Sequence, residues 1–205
     1  MFASRTFFRS LMATTALLSA VVAQAAEPLR IDSGSALTAV VKHFRWLEAA
    51  GLGVQWAQPG ERADFTVASG SAALAVRAAG APVKAVYVLS RTSNGAADTQ
   101  FLLASETLLA GRADEARTVL AALERARLWV NAQHGKADPD AAAQIAGAAL
   151  QGRSFAGSRP GPAQLAALKA LARERGVDEQ LGAALLDDTV YRAALNAMQT
   201  AALSR

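Results

Sequence analysis

From Leu29 onward, short β-like runs and helix-like runs take turns along the chain, and that alternation admits few architectures beyond a largely parallel sheet with helices on its faces. The β-like runs are residues 29–32, 54–57, 64–68, 83–89 and 101–104. Twice the join from strand to helix is the same tetrapeptide, Ser33-Gly34-Ser35-Ala36 and Ser69-Gly70-Ser71-Ala72. Such a join can cradle an anion. Glycine lets the backbone approach a ligand, serine hydroxyls donate hydrogen bonds, and the free N–H groups of the first helical turn carry partial positive charge. Two of them on neighbouring strands would converge on one ligand. The competing reading is an ordinary turn with a serine N-cap, used twice.

The helices follow from apolar spacing. Leu37, Val40, Val41, Phe44 and Leu47 share one face of a first helix that ends at Gly51. A second runs from Ser71 to Gly80, and Pro82 stands at the mouth of the fourth strand. After Ser105 the composition turns alanine-rich, and Val119, Leu120, Leu123, Arg127 and Val130 mark one long helix, with Ala116 and Ala126 on or near its face. Asp138-Pro139 is a helix start. Residues 152–162 hold three glycines, two prolines and two serines and read as a linker. Leu165, Leu168 and Leu171, then Leu181 and Leu185, then Val190, Tyr191, Ala194, Leu195 and Met198 mark three further helices. The expected fold is α/β, a three-layer, mostly parallel five-stranded sheet over residues 26–151. Residues 152–205 are a linker and C-terminal helices that pack back on it.

The first 25 residues read as an export signal. Arg5 and Arg9 form a basic start, residues 11–22 an apolar stretch too short to span a bilayer, and Ala23-Gln24-Ala25 a small-x-small cleavage site. The expected location is therefore periplasmic. Cleavage leaves 180 of the 205 residues, enough for one domain. It also removes two of 21 basic residues, leaving 19 against 17 acidic ones. With that near-neutral balance and no basic block, nucleic-acid binding has little support. No cysteine is present, so neither a disulfide framework nor a thiolate metal site can form.

The residues of catalysis do not assemble in the sequence. Neither Ser-Gly-Ser turn has the glycine, x, serine, x, glycine pattern of a hydrolase elbow. Two scattered histidines, His43 and His134, cannot make a three-histidine zinc site, and His43 lies off the apolar face of its helix. Asp187-Asp188 reads as a helix cap, as do Asp138 and Asp140, because adjacent helical residues do not face each other. Trp46, Trp56 and Trp129 could line a pocket, though core or edge packing is the commoner fate of such residues. Arg91 ends the fourth strand, at the carboxyl edge where open α/β sheets take ligands, and could pair with an oxyanion. A solvated edge charge is the alternative. No cofactor is expected.

Several segments together resemble a known family: Leu29-Arg30-Ile31 with Ser33-Gly34-Ser35, residues 63–71, residues 78–83, and Val86-Tyr87-Val88. They are similar to the first lobe of type II periplasmic substrate-binding proteins of ABC importers, in the group for aliphatic sulfonates, taurine and nitrate. The resemblance resumes at residues 101–105, 119–126 and 129–132, which look like the segment where that family's chain re-enters the first lobe. It implies that Gly34 and Ser35, with Ser69, Gly70 and Ser71, hold an anionic head group, and that an ABC permease is the partner. Between the fourth strand and the return segment the family inserts a second lobe, and here only residues 91–100 fill that interval.

A single lobe cannot close on its ligand as two lobes do. A helix N-terminus contributes ~0.3–1 kcal/mol to an exposed anion and ~2 in a partly buried one. Two such ends and a few hydrogen bonds reach ~4 kcal/mol, which is millimolar binding. The first expectation is thus an exported, non-enzymatic binding protein for a small anion, reduced to one lobe, with Gly34, Ser35, Ser69, Gly70, Ser71 and Arg91 as its contacts. The second is a module that docks on a permease or another periplasmic protein and has lost ligand capture. A homodimer in which a second copy supplies the missing jaw is a variant.

Overall fold

The computed structural model describes residues 27–91, 95–133, 155 and 158–203. The expected export signal, the turn at 92–94, His134, the helix start at Asp138-Pro139 and most of the 152–162 linker lie outside those residues. Among the described residues no helix is long and apolar enough to cross a membrane.

Five strands form one sheet: β1 (Leu29–Asp32), β2 (Val54–Ala57), β3 (Phe65–Ser69), β4 (Val83–Ser90) and β5 (Gln100–Ser105), in the order β2-β1-β3-β5-β4. β1 pairs parallel with β2 and β3, whereas β5 runs antiparallel to both of its neighbours. The sheet is therefore mixed, where the alternating pattern implied one mostly parallel. The reason lies in the connection. Nine residues separate β4 from β5, and a parallel neighbour needs a crossover of a dozen or more. β5 turns back as a hairpin partner of β4 and fills the slot between β4 and β3.

The helices are α1 (Ala36–Phe44), α2 (Trp46–Ala49), α3 (Gly70–Ala78), α4 (Glu106–Gly111), α5 (Ala113–Gln133), α6 (Pro162–Glu174), α7 (Glu179–Leu185) and α8 (Thr189–Leu203). The first helix read from the sequence is two. Arg45 takes a left-handed conformation, φ 52°, and its N–H closes back on the Val41 and Lys42 carbonyls before α2 begins. Leu47 stays in the core across the break, and the kink stacks Trp46 on Phe44 at 5.1 Å between ring centres.

Alternate side chains of β5 enter two separate cores: Leu102 and Ala104 join α1, α5 and α8, while Phe101 and Leu103 join α3, α6 and α7. β4 and β5 are consequently buried along nearly their whole length. The C-terminal helices complete both cores, Leu168, Leu171 and Leu185 in one and Tyr191 and Ala194 in the other.

The residues expected to form a linker also pack. Phe155, Ser158 and Pro160 are buried, and the Ser158 carbonyl accepts the Val88 N–H at 2.8 Å. Asp187 N–H donates to the Ala85 carbonyl, and Leu186 forms a parallel bridge with Ala85. These contacts occupy the outer edge of β4, which would otherwise be an open row of hydrogen-bonding groups.

Candidate functional site

The two Ser-Gly-Ser turns stand at the carboxyl ends of the adjacent strands β1 and β3. They are not level. Ile31 pairs with Phe65, so β3 runs three residues past the end of β1, an offset of ~10 Å at strand rise. Ser69 is instead level with Gln100 and Ser90 across β5 and β4, which brings Ser69, Gly70 and Ser71 to the level of Arg91 and sets Gly34 and Ser35 back.

Both turns use a serine as a helix cap. Ser35 Oγ accepts the Thr38 N–H at 3.1 Å while Thr38 Oγ1 accepts the Ser35 N–H, a reciprocal box that is buried. Ser69 Oγ accepts the Ala72 N–H at 3.2 Å. The same device appears a third time where β5 meets α4, with Ser105 Oγ taking the Leu108 N–H at 3.1 Å. Ser105 carries no Ser-Gly-Ser motif, so among the described residues serine capping after a strand recurs at all three direct strand-to-helix joins.

The N–H groups that would hold an anion already have acceptors. Asp32, only 2% exposed, takes the Gly34 N–H on Oδ1 at 2.7 Å and the Val67 N–H on Oδ2 at 3.1 Å. A carboxylate of the protein thus sits where a ligand's would. On α3 the Gly70 N–H donates to the Thr99 carbonyl at 2.9 Å and the Ser71 N–H to the Ala97 carbonyl at 3.2 Å. With Ala72 capped by Ser69, the first three N–H groups of α3 are spent. A Cβ on Gly70 would lie 2.1 Å from the Ala96 carbonyl oxygen, so glycine here admits the 96–99 loop. Ser71 Oγ accepts a long, exposed hydrogen bond from Arg175 at 3.4 Å. Arg91, half-buried beyond Ser90, is engaged by neighbouring groups.

The remaining sequence candidates have structural placements. His43 is exposed against Phe44. Asp187 accepts the Thr189 N–H at 2.8 Å, and Asp188 pairs with Arg159 and Arg192. The three tryptophans pack partly buried against the first core. No cluster of three or more metal-ligating side chains occurs among the described residues.

A concave region lies at the opposite, amino end of the strands. Glu27, Arg30, Arg62, Ala63, Asp64 and Arg112 line a cavity of about 350 Å³. Arg30 comes from β1, Asp64 stands just before β3, and Arg62 lies on the seven-residue link that carries the chain from β2 across β1 to β3. Arg112 joins α4 to α5 and is held by Glu115 and the Glu27 carbonyl. The hydrogen bond to Glu115 raises the Arg112 pKa above its ordinary value. The sequence carries no spacing that announces this cavity, because its residues are drawn from three separate stretches. Compared with known proteins, the chain matches no family model, no curated protein and no solved structure.

Proposed function

We propose that this chain is an exported, non-catalytic protein built like one lobe of a type II substrate-binding protein, and that it acts by contact with another protein, such as an ABC permease, after losing ligand capture at its strand-end cleft. The observation that carries the reading is the internal use of the cradle: Asp32 on the Gly34 N–H, and the Thr99 and Ala97 carbonyls on the Gly70 and Ser71 N–H groups. Opening that cradle to an anion would break hydrogen bonds that the fold itself makes and would set the ligand against a buried carboxylate. Support for the lobe comes from β5, which enters the sheet between β3 and β4 in the reverse direction, as a returning segment would.

Titration calorimetry with taurine, ethanesulfonate and nitrate tests the loss of capture. No binding heat is expected up to about 10 mM, beyond the millimolar range that the bare helix ends would give. Micromolar binding that disappears in Ser35→Ala or Ser71→Ala would restore the solute-binding reading. Crosslinking in cells is the matching positive test. The expected result is a defined permease complex whose yield is unchanged by the same two substitutions.

A further inference from the structure

The amino-end cavity has an unusual charge arrangement. Arg112, at the joint between α4 and α5, pairs with Glu115, and the charges of Asp64 and Glu27 also act on it. Of the other four charged lining groups, Arg30 and Arg62 bring two positive charges and Asp64 and Glu27 two negative ones, and no ion pair closes between them. The Arg30 Nε is closed to solvent and to a ligand alike and has no hydrogen-bond acceptor, so a ligand meets only the outer end of that guanidinium. Asp64 is fixed in place because its Oδ2 accepts the Arg30 main-chain N–H at 2.8 Å, and its Oδ1 makes no hydrogen bond among the described residues. A charged, concave surface that does not satisfy itself is poised to be satisfied by a ligand.

We infer that this cavity binds a small zwitterion of the amino-acid kind, its carboxylate on Arg30 and Arg62 and its ammonium on Asp64 and Glu27. A simple oxyanion would meet the guanidiniums and leave the two acids opposing it. A simple amine would do the reverse. A molecule carrying both charges satisfies both pairs, and the guanidinium fork is matched to a carboxylate. The volume is at the small end of ligand pockets and accommodates a free amino acid. The site is independent of the strand-end cleft, since it lies at the other end of β1 and shares no residue with the Ser-Gly-Ser turns.

Glycine, β-alanine and 4-aminobutyrate set their two charges at increasing separation, with propionate and propylammonium as single-charge controls. In ligand-observed NMR at low salt, at least one zwitterion is expected to bind at least tenfold more tightly than either control. Arg62→Gln and Asp64→Asn are each expected to weaken it tenfold or more, while Ser71→Ala leaves it unchanged. Arg62 is exposed, so its substitution tests the site without disturbing the fold. Equal binding of propionate and the zwitterions would overturn the inference in favour of an oxyanion site. Binding lost in Ser71→Ala but kept in Arg62→Gln would move the ligand to the cleft and overturn it too, as would no binding by any probe at about 10 mM.

Discussion

Gly70 shows how one residue type serves two readings. In the sequence, a glycine after a strand and before a helix invites a ligand to approach the backbone. In the fold it is the protein's own Ala96 carbonyl that approaches, to within 2.1 Å of where a Cβ would stand. Gly70→Ala must push the 96–99 loop away and with it the two hydrogen bonds to the first turn of α3, so a loss of ~2–4 kcal/mol is expected. Urea denaturation measures it, beside Ser71→Ala, whose only side-chain bond is long and exposed and whose cost is expected within ~0.5 kcal/mol. A Gly70→Ala variant of undiminished stability would mean the loop is not the reason for the glycine. The strand, turn and helix around Gly70 were legible because propensity and capping act within a few residues. The acceptors of its neighbours were not, because they come from residues 97 and 99, a separation that no local pattern encodes.

At the scale of elements, β4, α5 and α8 are joined through one polar group inside an otherwise apolar core. Tyr87 donates its hydroxyl to Glu124 Oε2 at 3.1 Å, Glu124 is paired with Arg127 three residues on, and Tyr191 meets Tyr87 edge-on at 5.7 Å between ring centres. The sequence placed Arg127 on the apolar face of the long helix without giving it a reason to be there. Its reason is Glu124, which Arg127 shields and Tyr87 bonds. Burial, and then the negative charge of Glu124, raise the Tyr87 pKa well above its ordinary 10.0. A pKa raised by folding means that the folded protein holds the proton more tightly than the unfolded chain does. The stabilisation is therefore complete below pH 10 and is lost as the pH rises toward the folded value. Urea midpoints between pH 8 and 11 are expected to fall on the alkaline side, and less steeply in Tyr87→Phe. That variant also loses a hydrogen bond to a charged acceptor, about 1.5–3 kcal/mol at neutral pH. An alkaline limb identical in the two proteins would assign it to other groups.

Across the whole molecule, the described C-terminal helices are part of the fold and not an addition to it. The five strands leave β4 as an outer edge, and a bare edge of eight residues, six of them buried, would pair with any exposed strand. The segment around Ser158 and the turn at Leu186–Asp187 supply the missing hydrogen bonds, and α8 covers Tyr87 with Val190, Tyr191 and Leu195 packed in or against the first core. Burial of a side chain of that size contributes ~1.5–3 kcal/mol, so removing the three forfeits about 5 kcal/mol before any hydrogen bond is counted. That sum is comparable to the whole stability of a typical domain, 5–15 kcal/mol. A chain ending at Leu185 is accordingly expected to lose cooperative unfolding and to self-associate through the stretch of β4 near Ala85 that Leu186 and Asp187 cover. Circular dichroism melting and light scattering would show both. A monomeric, cooperatively melting truncation would mean that residues 29–133 and α6 and α7 make a complete lobe, and α8 could then be treated as a separable appendage available to a partner.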